Sequence, residues 1–257
     1  MKPTERTLLV DIETFPMLMY AWTQWEADAL RVIENTSICA WSAKWLHGKQ
    51  ITRCLADYKG YKPHRRDDKT LLQELWQLLD EADIVVAHNG DAFDVKKINY
   101  RFLLHGMKPP SPYRTVDTLK EARKIAAFDS NKLNELSRLL DIGQKIRTGG
   151  ADLWFDCLEG NMNAWKHMKE YNARDVSPLL EQVYLKLLPY MKTHPNVANG
   201  YGPDMCPKCG GTHLRSEGIR RNATTAYRRL HCIGCGSWIR DTTNLIQKDD
   251  KPFVIAA

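Results

Sequence analysis

The sequence predicts an α/β protein, a mixed sheet flanked by helices, followed by a small second domain. Three observations carry this. Apolar, β-branched runs open the chain, and farther on such runs alternate with leucines at helical spacing, the order expected of a mixed sheet covered by helices. Residues 193–204, THPNVANGYGPD, then break the pattern with Pro, Gly and Asn. Beyond them stand two Cys-x-x-Cys pairs unlike anything earlier in the chain. The expected organisation is a main domain over 1–192, a linker over 193–204, a small domain over 205–245 and a tail over 246–257.

The elements follow in order. TLLVDIETF is apolar and β-branched and stops at Pro16, so it reads as a strand. YAWTQW, SICAWSAKWL and QITRCLADY alternate in part and read as further strands in a meander. In DDKTLLQELWQLLDEAD, Leu71, Leu72, Leu75, Leu78 and Leu79 mark a helix. IVVAHNG is a short buried strand ending in an Asn-Gly turn. Phe93, Ile98, Phe102 and Leu103 belong to a second helix that ends near Gly106 and Pro109-Pro110. YRTVDTL reads as a strand, and KEARKIAAF and NKLNELSRLL as helices. Residues 143–164, rich in Gly, Asn and Asp, are expected to form an ordered loop, and a long helix is expected from Asn163 to Met191. The tail from Leu245 is mixed and expected to fray.

Composition narrows the class. The chain has 257 residues, 43% hydrophobic and 26% charged, with no repeat and no low complexity, which argues against disorder and collagen. It lacks an apolar run of about 18 residues, so no membrane span is expected. The opening MKPTERTLLVD has no apolar signal region, so a cytoplasmic protein is expected. The net charge of +6 is unevenly placed. Residues 206–240 hold Lys208, Arg215, Arg220, Arg221, Arg228, Arg229 and Arg240 against Glu217 alone, and the rest of the chain is balanced. One short segment thus carries the whole excess, which points to an anionic partner, nucleic acid ahead of others.

Chemistry concentrates in three acidic segments. Alternation along the first strand puts Asp11 and Glu13 on one face and Ile12 on the other. Two carboxylates so close repel, and each is costly to bury without a cation. A hard divalent metal resolves both problems, because Mg²⁺ and Mn²⁺ prefer oxygen ligands; the bland alternative is an acidic face turned to solvent. The second segment, His88-Asn89-Gly90-Asp91-Ala92-Phe93-Asp94, lies at a strand-to-helix junction, where ligands commonly bind. Asp91 is expected to cap the helix, and Asp94 to face the Asp11 strand. In the third segment, Tyr171 and Asp175 stand at i and i+4 and share a helix face.

Asp11-x-Glu13, Asn89 to Phe93-Asp94 and Tyr171-x-x-x-Asp175, in this order, resemble the three exonuclease motifs of the DEDD superfamily, proofreading exonucleases with an RNase H-like fold. DSNKLNELSRLLDIGQK, Asp129 to Lys145, also resembles the segment before the third motif in family B polymerase proofreading domains. Glu170 stands where the DEDDh branch carries its histidine, so Tyr171 marks resemblance to the DEDDy branch. The resemblance covers about residues 5–191 and implies a site with two Mg²⁺ or Mn²⁺ ions. It implies that Asp11 bridges both, that Glu13 and Asp175 complete the site of the water-activating metal, that Asp94 holds the second metal partly through water, and that Tyr171 orients the attacking water. The implied reaction is hydrolysis of a phosphodiester from a 3′ end, releasing a 5′-nucleoside monophosphate. Asn89 and Phe93 are candidates for the terminal nucleotide. Asp117 is a candidate supporting acid, Phe15 is expected in the core rather than under a base, and His88 is expected to be a hydrogen-bonded core histidine.

Cys206-x-x-Cys209 and Cys232-x-x-Cys235 stand 22 residues apart, each followed by glycine, Gly210 and Gly236. Each turn can present two thiolates to one tetrahedral Zn²⁺. The gap slightly exceeds the usual range of about 15–20, and a β-hairpin between the knuckles would absorb the excess. The pattern resembles a zinc ribbon with one structural Zn²⁺. Cys39, Cys54 and Cys157 are scattered and read as buried free thiols. Arg220, Arg221, Tyr227, Arg228 and Arg229 lie between the knuckles and suit phosphate contact and base stacking; a ribbon that docks a replication or repair protein is the rival.

The sequence therefore points to a metal-dependent 3′-5′ exonuclease carrying a zinc ribbon, with single-stranded DNA ahead of RNA. Its size and architecture suit a bacterial or phage replication or repair enzyme. The rivals are a binding module that has lost catalysis and a structure-specific endonuclease on the same scaffold.

Overall fold

The computed structural model describes residues 6–23, 25, 28–64, 66–198 and 204–246. Its contacts divide the chain into two compact units, one spanning Arg6–Tyr184 and one containing Leu185 onward.

The first unit is built on a five-stranded sheet of order β5-β4-β1-β6-β7. Its strands are β1 (Thr7–Phe15), β4 (Ser37–Trp45), β5 (Gln50–Cys54), β6 (Ile84–Ala87) and β7 (Arg114–Asp117). β2 (Leu18–Tyr20) and β3 (Arg31–Glu34) form a separate hairpin between β1 and β4. β4 pairs antiparallel with β1, across the β2–β3 hairpin that joins them in the chain, and with β5, across a short turn, whereas β1, β6 and β7 are parallel because helices intervene. The mixed α/β architecture is the one the sequence predicts. α1 (Lys69–Asp80) buries Leu71, Leu72, Leu75 and Leu79, and the Trp41 indole of β4 donates to its Leu71 carbonyl at 3.0 Å. Each such leucine contributes about 1.5–3 kcal/mol of burial. α2 (Asp94–Leu104) is tied across by the wholly buried Asp68, which accepts from Arg101 through both oxygens at 2.7 and 2.8 Å and from the Ile38 N–H at 2.8 Å. α3 (Thr118–Ile125) and α4 (Leu133–Leu139) follow β7.

Four sequence expectations need correction. Among the described residues of YAWTQW only Tyr20 lies in a strand, as the end of β2, whose hairpin partner is Arg31–Glu34. The expected loop over 143–164 contains α5 (Asp152–Leu158), which buries Leu153, Cys157 and Leu158. The expected helix over 163–191 is α6 (Met162–Arg174), an irregular turn over Asp175–Leu180, α7 (Glu181–Leu187) and a short turn over Leu188–Tyr190. Ser177 leaves helical geometry (φ −136°, ψ 120°) because the ring of Pro178 disfavours α backbone before it. Asp91 does not cap α2: it accepts from Lys120 at 2.7 Å, and Phe93 occupies the cap position.

The second unit carries a three-stranded antiparallel sheet of order β10-β9-β8, made of β8 (Leu214–Arg221), β9 (Ala226–Cys232) and β10 (Trp238–Arg240). β8 and β9 are the hairpin that spans the gap between the cysteine pairs. Within the expected linker, Val197 and Ala198 are buried, and the Val197 N–H donates to the Pro207 carbonyl at 2.8 Å. Most of the expected tail lies outside the described residues. Among the described residues no helix is long and apolar enough to cross a membrane.

Candidate active site and metal centres

β1 is longer than its parallel neighbour. Its pairing with β6 ends at Leu9↔Val86, so the half bearing Asp11 and Glu13 runs on past the carboxyl end of β6. The register with β4 also slips beside Glu13, with Cys39 as the extra residue. Irregularities of this kind re-aim side chains next to functional sites. At the end of β6 the chain turns through Asn89, which takes the left-handed region (φ +66°) that Asn tolerates. A Cβ on Gly90 would meet the Ala87 Cβ at 2.4 Å, so this turn requires glycine. Asp117, at the end of β7, holds the turn: it accepts from the Asn89 N–H at 2.9 Å and caps α3 through the N–H groups of Leu119 and Lys120. The result places Asp94 at the start of α2, where its Oδ1 accepts from the Ile12 N–H at 3.2 Å.

α6 delivers the third segment. Its last turn carries Tyr171, Asn172 and, at its C-terminal cap, Asp175. Carboxylate oxygens of Asp11, Glu13 and Asp175 lie within 4.8 Å of one another. Asp94 is 3% and Asp175 1% exposed, while Asp11 and Glu13 are half-buried. Two residues the sequence reading gave no role complete the arrangement. Asn172, fully buried, donates through Nδ2 to Asp11 Oδ2 at 2.7 Å. Lys145 donates to Asp175 Oδ2 at 2.5 Å and to the Tyr171 hydroxyl at 3.3 Å. Lys145 ends the stretch that resembles the polymerase segment, and Asn172 lies inside the Tyr-x-x-x-Asp motif, yet neither residue type signals a role there. Trp154 of α5 packs edge-on against Tyr171 with centroids 6.2 Å apart. Leu153, Trp154, Cys157 and Leu158 have helical spacing, a local signal that the Gly, Asn and Asp content around it masks.

The electrostatics are those of crowded acids. Burial, then Asp94, Glu13 and Asp175, raises the Asp11 carboxyl well above the carboxylate range. Burial and Asp175 push Glu13 up to about 8. Burial lifts Asp94 to about 7 against the pull of the Ile12 N–H. Asp175 is raised by burial, although Lys145 and Tyr171 work against the rise. Burial and Asp175 likewise raise the Tyr171 hydroxyl. Burial disfavours the Lys145 ammonium, but Asp175, Tyr171 and Asp11 outweigh it and raise its pKa. Lys145 alone cannot balance four carboxylates, and Asp175 Oδ1 is buried with no hydrogen-bond partner. An all-oxygen donor set that carries excess negative charge fits hard divalent cations.

The remaining predicted residues fall as follows. Asn89 is exposed and Phe93 is 39% exposed, both beside Asp94 in sequence. His88 is bonded through both ring nitrogens, to Thr118 Oγ1 at 2.9 Å and the Asn131 carbonyl at 3.0 Å, and burial lowers its pKa to about 4. Phe15 is 1% exposed and packs edge-on against Trp165, a core role.

In the second unit the four cysteine sulfurs lie within 4.8 Å of one another. Cys206 and Cys235 are 3.8 Å apart and Cys209 and Cys232 3.6 Å apart. A Zn–S bond of about 2.3 Å gives a tetrahedron edge of about 3.8 Å, so the set fits one zinc ion. The two knuckles repeat one geometry: Gly210 N–H donates to the Cys206 carbonyl and Gly236 N–H to the Cys232 carbonyl, both at 2.8 Å. Both glycines have positive φ, +71° and +77°, which favours glycine. Hydrogen bonds from Cys209 and backbone N–H groups pull the Cys206 thiol down to about 5, whereas the hydrogen bond to Cys206 and burial push the Cys209 thiol up and burial pushes Cys232 up. The sheet separates the five predicted nucleic-acid residues. Arg220, Tyr227 and Arg229 lie on one face; Arg221 and Arg228 lie on the other, where Arg228 is paired with Asp241 at 2.6 Å.

A profile of the RNase H superfamily matches residues 26–187. That is more than half of the chain, and the chain belongs to this superfamily. The match begins after β1, so it includes the segments of Asp94, Tyr171 and Asp175 but not Asp11 and Glu13. Over 77 residues the chain is 36% identical to the PolC-type DNA polymerase III of Ureaplasma parvum serovar 3, covering 30% of this chain and 5% of that one. The family B DNA polymerase of the hyperthermophilic archaeon Pyrobaculum calidifontis aligns with a TM-score of 0.47 at 15% identity, over 74% of this chain and 26% of that one. The chain thus spans a small fraction of the length of each of these polymerases.

Proposed function

We propose that this chain is a metal-dependent 3′-5′ exonuclease of the DEDDy type, acting on nucleic acid with single-stranded DNA as the favoured substrate. The observation that carries this reading is the gathering of the Asp11, Glu13 and Asp175 carboxylates within 4.8 Å of one another, with Tyr171 one turn before Asp175 on α6 and Asp94 bonded to the Ile12 N–H between the first two acids. The similarity of part of the chain to a PolC-type DNA polymerase III supports the substrate class.

Asp11, Glu13, Asp94 and Asp175 would hold two Mg²⁺ or Mn²⁺ ions. Such ions, when bound, polarise phosphoryl oxygens and lower the pKa of water. The chain's own residues do the rest. Asn172 fixes the Asp11 carboxylate, and the Ile12 N–H fixes Asp94, so both donors are held before substrate arrives. Tyr171, held between Trp154 and Lys145, orients the attacking water at phosphorus. Lys145 supplies a fixed positive charge beside Asp175. The four cysteines hold one structural Zn²⁺, and the ribbon serves substrate or partner binding.

The test uses 5′-labelled single-stranded DNA and RNA with Mg²⁺ or Mn²⁺, beside Asp11→Ala. The expected result is a metal-dependent ladder shortening from the 3′ end on DNA, absent in the variant. Equal activity in a clean Asp11→Ala preparation would refute the site.

A further inference from the structure

The ribbon sheet has two unlike faces. Residues directly opposite in an antiparallel pair point to the same side, and residues two apart along a strand do too. The pairings Arg215↔His231, Arg220↔Tyr227, Trp238↔His231 and Arg240↔Arg229 therefore gather these side chains on one face. Leu214, Ile219, Ala226, Leu230 and Ile239 share the other.

The first face is ordered as a stack. The Arg229 guanidinium lies over the Trp238 ring, 4.8 Å from its centroid, and Trp238 stacks on His231 at 4.7 Å and 17°. The Arg240 guanidinium lies over Tyr227 at 4.1 Å. Arg229 and Arg240 are further held by the carbonyls of Glu217 and Asp241. Among the described residues no carboxylate pairs with Arg220, Arg229 or Arg240, whereas Arg215 is paired with Glu217 and Arg228 with Asp241. Trp238 is 50% exposed and the three free arginines are exposed. Three uncompensated guanidinium groups, two of them already stacked and fixed, complement an anion at low ordering cost. The interleaved rings add what phosphate alone would not need. A duplex turns its bases inward, but a single strand offers their faces to aromatic and guanidinium planes.

We infer that this face of the ribbon, Arg220, Tyr227, Arg229, Trp238 and Arg240, is a binding platform for single-stranded DNA. The inference rests on the nucleic-acid reading of the chain, so it is tested by binding alone, in full-length Asp11→Ala protein that does not cut. The probe is a fluorescein-labelled oligothymidylate, followed by anisotropy across a salt series, beside a duplex of equal length and an oligouridylate. Each lost phosphate contact should reduce the slope of log K against log salt by about 0.7, so R220A/R229A/R240A should lower it by about 2. Trp238→Ala should weaken binding about tenfold or more while leaving the slope unchanged. R221A/R228A, on the opposite face, should leave both quantities unchanged. One zinc per chain in every variant establishes that the ribbon is folded. An unchanged slope in the triple variant, an equal loss in R221A/R228A, a preference for duplex, or binding of RNA alone would each overturn the inference. None of these outcomes bears on whether wild type cleaves.

Discussion

Asp11→Asn separates what the acidic cluster costs the fold from what it does. Two unit charges 4.8 Å apart, the outer limit for the Asp11, Glu13 and Asp175 oxygens, repel by about 3.5 kcal/mol at an effective dielectric of 20. The metal-free protein escapes this by taking up protons. Protonating an aspartate of ordinary pKa at pH 7 costs about 4 kcal/mol, from about 1.4 kcal/mol per unit over about three units. Either way Asp11 costs the metal-free fold several kcal/mol, partly returned by Lys145. The amide is neutral and its oxygen can still accept from Asn172. The variant should thus gain about 3 kcal/mol, or about 6–12 °C in Tm for a unit of this size. The sign of the pH effect follows from the raised pKa values. A group whose folded pKa lies above its unfolded value favours the fold below the unfolded pKa and loses that contribution as pH rises through the folded one. Glu13, up to about 8, and Asp94, up to about 7, place the loss of metal-free stability between about pH 4 and 8. Thermal melts followed by circular dichroism, in resin-treated buffer without chelator, read this directly. Wild type should melt lower as pH rises through that window, Asp11→Asn should melt higher than wild type with the larger margin at the alkaline end, and excess Mg²⁺ should shrink or reverse the margin. A variant that melts no higher than wild type at pH 8 without metal would refute the crowded-acid account.

Asn172→Ala should cost about 1.5–3 kcal/mol where Mg²⁺ keeps Asp11 charged, because a hydrogen bond to a carboxylate is lost; urea unfolding with Mg²⁺ checks it, and a change under about 0.5 kcal/mol would count against a fixed Asp11. Asp68→Ala leaves the buried Arg101 guanidinium unpaired and should destabilise the first unit by about 3–5 kcal/mol, read by the same method. If the four cysteines hold zinc, a strong zinc chelator, or Cys206→Ser with Cys232→Ser, should remove the near-ultraviolet signal of Trp238 while far-ultraviolet helix content persists, since a metal held there would supply much of the folding free energy of so small a unit.

The legible parts of this protein are those whose physics is local. The strand TLLVDIETF, the leucine period of α1 and the paired knuckles with their glycines each carry their own signal, because alternation, helical spacing and thiolate geometry act over a few residues. Elements escaped where another signal masked them. The composition of 143–164 hid α5, and the helical run past Asn163 hid the break that Pro178 imposes at Ser177.

The same division holds for the site. Sequence alone determined which residue types stand in motif order: Asp11 with Glu13, Asp94, Tyr171 with Asp175, and four cysteines. That Asn172 holds Asp11, that Lys145 sits against Asp175, and that Asp117 braces the Asn89 turn were decided by contacts across 161, 30 and 28 residues of chain. The partition of the ribbon arginines between two faces was decided by strand register, shifted by an irregularity between Ser216 and Ile219. A side chain's partner across the fold depends on which strands pair and at what offset, and that is fixed only when the whole core closes.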